Sequence, residues 1–370
     1  MLPADLVASA LGIRSAGAYA RFPPDEGCMA VTKAERAGRG ASLGSFPLEL
    51  HAVWLVFIAD AIAMFITYAR VPAREMYHVS GGGLEGGASR VLVFSNYSTA
   101  LVAIAVLAVV ADRLAGRVVT GVAVVALVLC AAVFWPGVVD QANLDAKPVN
   151  AIAAIGVLVA LALTVVATRQ LRRPEWSSRL PGDRVRVVAA VAAVVVGLPW
   201  LAAELGLFLD GVPLVGHLYQ TGKLAWETPT LHRLIPTVHH GHHHGLDAVL
   251  LLCTALLLSR VVPSVRRAWL RVSLGVYLSL MAAYAIGNIA NDAWGEQIVK
   301  RGWTTWRIPD VVQPKVSVAW ALIVAGTVVL YALAAWWSSR PRPASSMPVD
   351  DRVSEARSGA RTVGTGPGSR

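Results

Sequence analysis

The chain has 370 residues, 55% of them hydrophobic and only 15% charged, with a mean hydropathy of +0.56. A soluble domain carries about 25% charged residues, so the composition excludes an ordinary water-soluble globule. The net charge of +10 does not imply nucleic acid: no basic patch with interleaved aromatics occurs, and the cations gather in turns between apolar runs, which makes a lipid bilayer the partner.

Eight apolar runs are each long enough to cross the hydrocarbon layer: 49–69, 91–112, 117–136, 150–168, 186–206, 240–260, 270–290 and 316–337. None alternates as a barrel strand does, so each must satisfy its backbone as a helix. The expected fold class is all-α, a polytopic membrane helical bundle of about eight transmembrane helices.

Residues 1–46 begin with "LPADLVASALGI", which lacks the basic leader and the long apolar stretch of a signal peptide. They read as a flexible cytoplasmic N-terminal extension, with the stretch before Met29 dispensable. The transmembrane domain follows over 47–338. Its first run, "WLVFIADAIAMFITYA", carries Asp60 halfway along. A charge at the bilayer centre costs about 2.5–3.5 kcal/mol on insertion scales. No Lys or Arg is expected at comparable depth, so Asp60 should face the bundle interior near Ser95, Asn96, Tyr277 or Tyr284. There it serves as a proton or cation relay, or as a hydrogen-bonded packing residue.

The glycine-rich stretch "HVSGGGLEGGAS", 78–89, lacks the Gly-Lys-Ser/Thr ending of a phosphate loop and reads as a flexible loop. Asn96 is a second intramembrane polar residue. Cys28, Cys130 and Cys253 supply neither a disulfide framework nor a paired-Cys zinc motif. In "GLPWLAAELG", Pro199 is expected to kink its helix and turn Glu204 inward.

The segment "VHHGHHHGLDAVLLL" puts five of the nine histidines within 239–244, at the mouth of an apolar run. The run from Asp247 to Arg260 is too short to span at about 1.5 Å per residue, so the helix should start near His239 or His240. On that helix His240, His243, His244 and Asp247 share one face. Imidazole suits Zn, Cu or Fe, and two histidines four apart on a helix can grip one ion. Asp247 would be a ligand or would orient an imidazole. His239 is the next candidate, and Glu204 or Asp292 could complete the set. Asp292 lies in "GNIANDAWGE" on nearly the same face as Asn288, a third intramembrane polar residue. The same cluster could instead titrate without metal.

His239–His242–His243 and His240–His243–His244 form H-x-x-H-H twice, which resembles one histidine box of the membrane fatty-acid desaturases and hydroxylases. That resemblance implies a di-iron centre and covers about six residues; the further boxes those families use do not occur. The chain as a whole resembles multi-pass membrane proteins of GC-rich actinobacteria, which implies no activity. Three classes therefore stay open: a metal-dependent enzyme or metal-handling protein, a proton- or ion-coupled transporter using Asp60 and the histidines, and a metal or pH sensor or assembly factor.

Residues 339–370, rich in Pro, Ser, Gly and Arg, read as a disordered cytoplasmic tail. Most of the 33 Lys and Arg lie in 1–48, 113–117, 169–186, 260–271 and 338–370. By the positive-inside rule these segments face the cytoplasm of a bacterial plasma membrane, with both termini inside and the histidines outside. In intact cells, an impermeant thiol reagent should therefore label a cysteine placed at position 220 and not one placed at 175; the opposite pattern inverts the topology.

Overall fold

A computed structural model describes residues 45–338 apart from 71–79, 96, 115, 136–137, 139–144, 172, 206, 208–211, 215–223, 228–232, 237–242, 310 and 313–314. The chain divides into two units, Met1–Ser45 and Phe46–Arg370, and the described residues belong to the second apart from Ser45. The tail 339–370 and nearly all of the extension 1–46 lie outside the described residues.

Among the described residues the architecture is helical. The elements in order are β1 (Ser45–Pro47), α1 (Leu48–Arg70), α2 (Gly83–Ser95), α3 (Ser98–Arg113), α4 (Arg117–Cys130), α5 (Asn150–Gln170), β2 (Arg173–Glu175), α6 (Asp183–Glu204), β3 (Leu224–Glu227), β4 (Arg233–Pro236), α7 (His243–Leu258), α8 (Ala268–Trp294) and α9 (Val318–Ser338). A 3-10 turn extends α4 over Ala131–Phe134, and a π-helical turn extends α8 over Gly295–Val299. β3 and β4 form an antiparallel hairpin with Leu224 opposite Pro236.

Over the described residues each apolar run is helical, with the run 91–112 divided between α2 and α3. Among the described residues six helices (α1, α4 with its 3-10 turn, α5, α6, α8 and α9) are long and apolar enough to cross a membrane, and a seventh span results if α2 and α3 are one helix bent by 46°. α7 has 16 described residues and is shorter than a span. It is described from His243, and the expected start near His239 or His240 lies outside the described residues. One correction concerns the glycine-rich stretch: residues 83–89, read above as loop, are the first turns of α2.

α3 and α7 form the centre. α3 is buried on nearly every side, from Ser98 to Arg113, and α7 is buried continuously from Gly245 to Leu252. A helix apolar all round belongs inside a bundle. α3 packs against α4, α5, α7 and α8; α7 packs against α1, α3, α6 and α8. The surrounding helices turn Val, Leu and Ile outward, as at Val128 (62% exposed), Val188 (68%) and Leu322 (67%), where a hydrocarbon solvent carries no penalty for them.

Two glycines set the close approaches. A Cβ on Gly87 of α2 would stand 2.7 Å from the Phe65 carbonyl oxygen of α1. A Cβ on Gly245 of α7 would stand 2.1 Å from the Trp200 ring of α6. Without a side chain the helices reach van der Waals contact, which is the main source of helix association in lipid. α6 runs unbroken through Pro199 to Glu204.

The basic turns share one end of the bundle, where their polar groups are mutually bonded. Glu49 is fully buried, accepts from the Ser177 N–H at 2.9 Å and lies 3.7 Å from Arg260. Arg260 donates to the Ser177 carbonyl at 2.8 Å and lies 3.7 Å from Asp183. Arg186 donates to Ser259 at 2.8 Å. Asp112 accepts from the N–H groups of Arg266 and Arg267, at the start of α8, satisfying donors that a helix N-terminus leaves free. At the opposite end, Asp145 accepts from Ser80 N at 2.9 Å, and Ser89 Oγ accepts from Ala146 N at 2.6 Å.

Gly87→Leu should separate α1 from α2 and destabilise the protein by about 1–3 kcal/mol, the usual range for overpacking. Gly121→Leu, on the exposed face of α4 with nothing within 4 Å of the added Cβ, should not. Thermal unfolding in detergent reads both; equal behaviour would show that the α1–α2 contact tolerates a side chain.

Candidate functional site

The close contact of α1 with α2 has a chemical consequence. Gly87 lies against Phe65, and the two helices are antiparallel neighbours, so Arg90, one turn further along α2, stands beside the middle of α1. Its side chain is 1% exposed and is the largest fully buried one among the described residues. Cβ atoms lean toward a helix's N-terminus, and the Arg90 guanidinium accordingly lies over the Tyr68 ring, 5.5 Å from its centroid. Arg90 is within electrostatic reach of Asp60, so a buried cation acts on that carboxyl although none was expected near it.

Three carboxyl groups lie within electrostatic reach of Arg90. They are Asp60 from α1, Glu204 from the end of α6 and Asp247 from α7. Asp60 also acts on Asp247, and Glu204 on both. Glu204 is 3% exposed and Asp247 1%. Glu204 follows Trp200 by one helical turn on the same face, so the seat of Trp200 on Gly245 carries Glu204 toward α7.

Asp247 accepts a hydrogen bond from Ser98 Oγ at 3.0 Å. Ser98 is the first residue of α3, whose N-cap Tyr97 makes no side-chain capping bond. The carboxyl thus sits at an uncapped helix N-terminus inside the bundle, at the break between α2 and α3, where the helix dipole favours negative charge.

The remaining groups are coupled but sparsely bonded. Arg90 Nε and Nη2, Asp60 Oδ2, Glu204 Oε1 and Trp200 Nε1 are shut off from the surface and have no hydrogen-bond partner among the described residues. A buried polar group without a partner costs about 1–3 kcal/mol. The cluster is therefore incomplete as protein alone.

A second polar group lies alongside. The Tyr97 and Tyr284 hydroxyls are hydrogen-bonded to each other, and Tyr284 donates to the Val312 carbonyl at 2.9 Å. Asn288 donates to the Tyr284 carbonyl on its own helix at 2.9 Å. Asp292 lies within electrostatic reach of Tyr97. Tyr277 donates to the Leu101 carbonyl at 2.7 Å. The structure thus joins Asp60 to Arg90 and Glu204, while Tyr284 and Tyr277 are engaged elsewhere. The Asn96 residue and the Ser95 side chain lie outside the described residues.

Of the histidine candidates, His239 and His240 lie outside the described residues. His243 and His244 open α7, one turn ahead of Asp247, and their side chains are likewise not described. Among the described residues no three His, Cys, Asp or Glu side chains converge as metal ligands. Glu204 and Asp247 come together with Asp60 and Arg90, and Asp292 belongs with the tyrosines.

Arg90, Tyr68, Ser98 and Trp200 were not legible as site residues. One signal was present: Arg90 borders an apolar run at the end that holds the minority of the Lys and Arg. Comparison with family profiles, curated proteins and solved structures gives no match for this chain.

Removing the cation leaves buried carboxylates uncompensated, so Arg90→Met should destabilise the protein by about 3–5 kcal/mol. Adding Asp60→Asn and Asp247→Asn to Arg90→Met should restore part of that loss. Thermal unfolding in detergent measures this; a further loss in the triple variant would show that Arg90 acts through packing rather than charge.

Proposed function

We propose that this chain is a proton-coupled membrane transporter whose coupling site is the Arg90 cluster. In this reading it has eight spans, with α7 as the central one, both termini cytoplasmic and the histidine segment outside, in a bacterial plasma membrane. The observation that carries the proposal is the charge inventory of the cluster. Asp60, Glu204 and Asp247 lie within electrostatic reach of one guanidinium, so full ionisation would leave two uncompensated negative charges in a low-dielectric interior. Coulomb energies there rise several-fold over water. Neutrality calls for two protons or added cations, and protons demand no ligand geometry.

The bend between α2 and α3 supports the same reading. Broken spans with a half-helix N-terminus facing a buried site are a recurring device of transporters, and Asp247 occupies that position. The bonded network of Glu49, Asp183, Arg186 and Arg260 would act as the closed cytoplasmic gate, and the titratable histidines ahead of Asp247 would stand on the outer route. The transition-metal reading rests on the histidines by sequence alone, because the described carboxylates do not form a ligand set, and it ranks second.

Infrared difference spectroscopy of the purified protein tests the proposal. At neutral pH a carbonyl band of protonated carboxyl groups should be present, and Asp60→Asn or Asp247→Asn should weaken it. In proteoliposomes an imposed acid-outside gradient should acidify the lumen faster with wild type than with Asp60→Asn. A protein without the band, or with proton flux indifferent to Asp60, ends the proton reading.

A further inference from the structure

The unpartnered atoms of the cluster are not a random set. On a guanidinium, Nε–H and Nη2–H point the same way and form the side-on fork that matches the two oxygens of a carboxylate. Those are the two Arg90 nitrogens without a hydrogen-bond partner among the described residues. The carboxyl groups of Asp60, Glu204 and Asp247 are near enough to feel the guanidinium charge, yet none bonds to the fork. Asp247 turns to Ser98 instead.

The other open atoms complete a receptor for an acceptor group. Trp200 Nε1 is a donor only. Asp60 Oδ2 and Glu204 Oε1 are open as well, and in the proton-loaded cluster proposed above they present O–H groups. Tyr68 Oη, beside the guanidinium, is open too, so a neutral cluster holds more open donors than acceptors to meet them. A carboxylate supplies two acceptor oxygens and a single negative charge.

We infer that Arg90 is the receptor for the carboxylate group of a small organic acid or of a fatty acid, which binds on the Nε/Nη2 fork together with protons held by Asp60 and Glu204. This inference rests on the proton-coupled reading and names its substrate class. Every anion brought to Arg90 adds negative charge to a site that already has an excess, so its entry favours proton uptake. By linkage, protons favour the anion equally. The species moved is then the acid in total, anion and proton through one site. A cationic solute would instead meet the guanidinium and gain only whatever carboxylates were left ionised.

The test uses the full-length protein in lipid nanodiscs. Acetate and benzoate probe soluble acids, and oleate probes a membrane-borne one; chloride and tetramethylammonium serve as controls. Binding is read as a rise in melting temperature and by calorimetry in two buffers of different ionisation enthalpy, which counts protons taken up. At mildly acid pH a carboxylate should stabilise the protein. Arg90→Lys keeps the charge and loses the fork, so affinity should fall about tenfold or more, the difference between a bidentate and a point-charge contact. Glu204→Gln keeps a neutral donor but removes a proton site, so it should lower the proton uptake that accompanies binding. A response to acetate or benzoate assigns the soluble source, and a response to oleate alone assigns the lipid one. An equal response in Arg90→Lys, an equal response to chloride, or stabilisation by tetramethylammonium alone overturns the carboxylate site. A protonated-carboxyl infrared band without any carboxylate binding sinks this inference and leaves the proton reading standing. Fork-dependent binding without proton uptake keeps Arg90 as the carboxylate receptor and overturns its coupling to protons.

Discussion

Burial of the Arg90 guanidinium within electrostatic reach of Asp60, Glu204 and Asp247 is the constraint on which the rest of the bundle turns. A cation in an apolar interior must have negative charge around it, and that charge has to come from several chains of contact at once. α2 can deliver Arg90 to this depth only because Gly87 lets it lie directly on α1. α7 delivers Asp247 only because it is enclosed on its flanks by α3, α6 and α8. α6 delivers Glu204 only because Trp200 finds the bare backbone of Gly245. The small residues and the charged residues are thus one design: close backbone contact positions the charges, and the charges require the contact.

The two polar regions of the bundle differ in how directly their charges are paired. At the end that gathers the basic turns, Arg260 reaches Glu49, Asp183 and the Ser177 carbonyl, and Asp112 takes the free N–H groups at the start of α8. These bonds join turns between helices and fix their relative positions. Even there Glu49 Oε2 and Arg260 Nε stay without a hydrogen-bond partner among the described residues. Around Arg90 the carboxyls act on the guanidinium at a distance, and Arg90 Nε and Nη2, Asp60 Oδ2 and Glu204 Oε1 are open. Direct pairing between helix-connecting turns, rather than the presence of charge as such, sets the basic end apart from the Arg90 cluster.

The histidines acquire a different meaning from their neighbour. Asp247 was attractive as a ligand or orienting group because it follows His243 by one helical turn. In the folded chain its carboxyl faces inward, held by Ser98 at the N-terminus of α3, and it belongs to the Arg90 cluster. His243 and His244 therefore open the helix that carries a buried carboxyl. Imidazoles titrate near neutral pH, so their place ahead of Asp247 fits proton delivery as readily as it fits metal.

The sequence by itself determined the helical class and the approximate place of most of the apolar helices, which are compatible with a membrane. Each follows from local chemistry: twenty apolar residues in a row have one way to satisfy their backbone in lipid, and basic turns alternate with the runs they separate. It also marked Asp60, Glu204 and Asp247 one at a time, because an acidic residue beside or within an apolar run is costly wherever it lies. Their convergence was decided only by tertiary structure. Arg90 sits at the edge of its apolar run and looks like a flank, and the glycines before it look like a loop. Nothing local says that Gly87 will meet Phe65, that Trp200 will meet Gly245, or that the span over 91–112 will break at its Tyr97–Ser98 end and turn a helix N-terminus toward Asp247. Those contacts join residues far apart in the chain, and a one-dimensional pattern holds no record of which helix faces reach van der Waals distance.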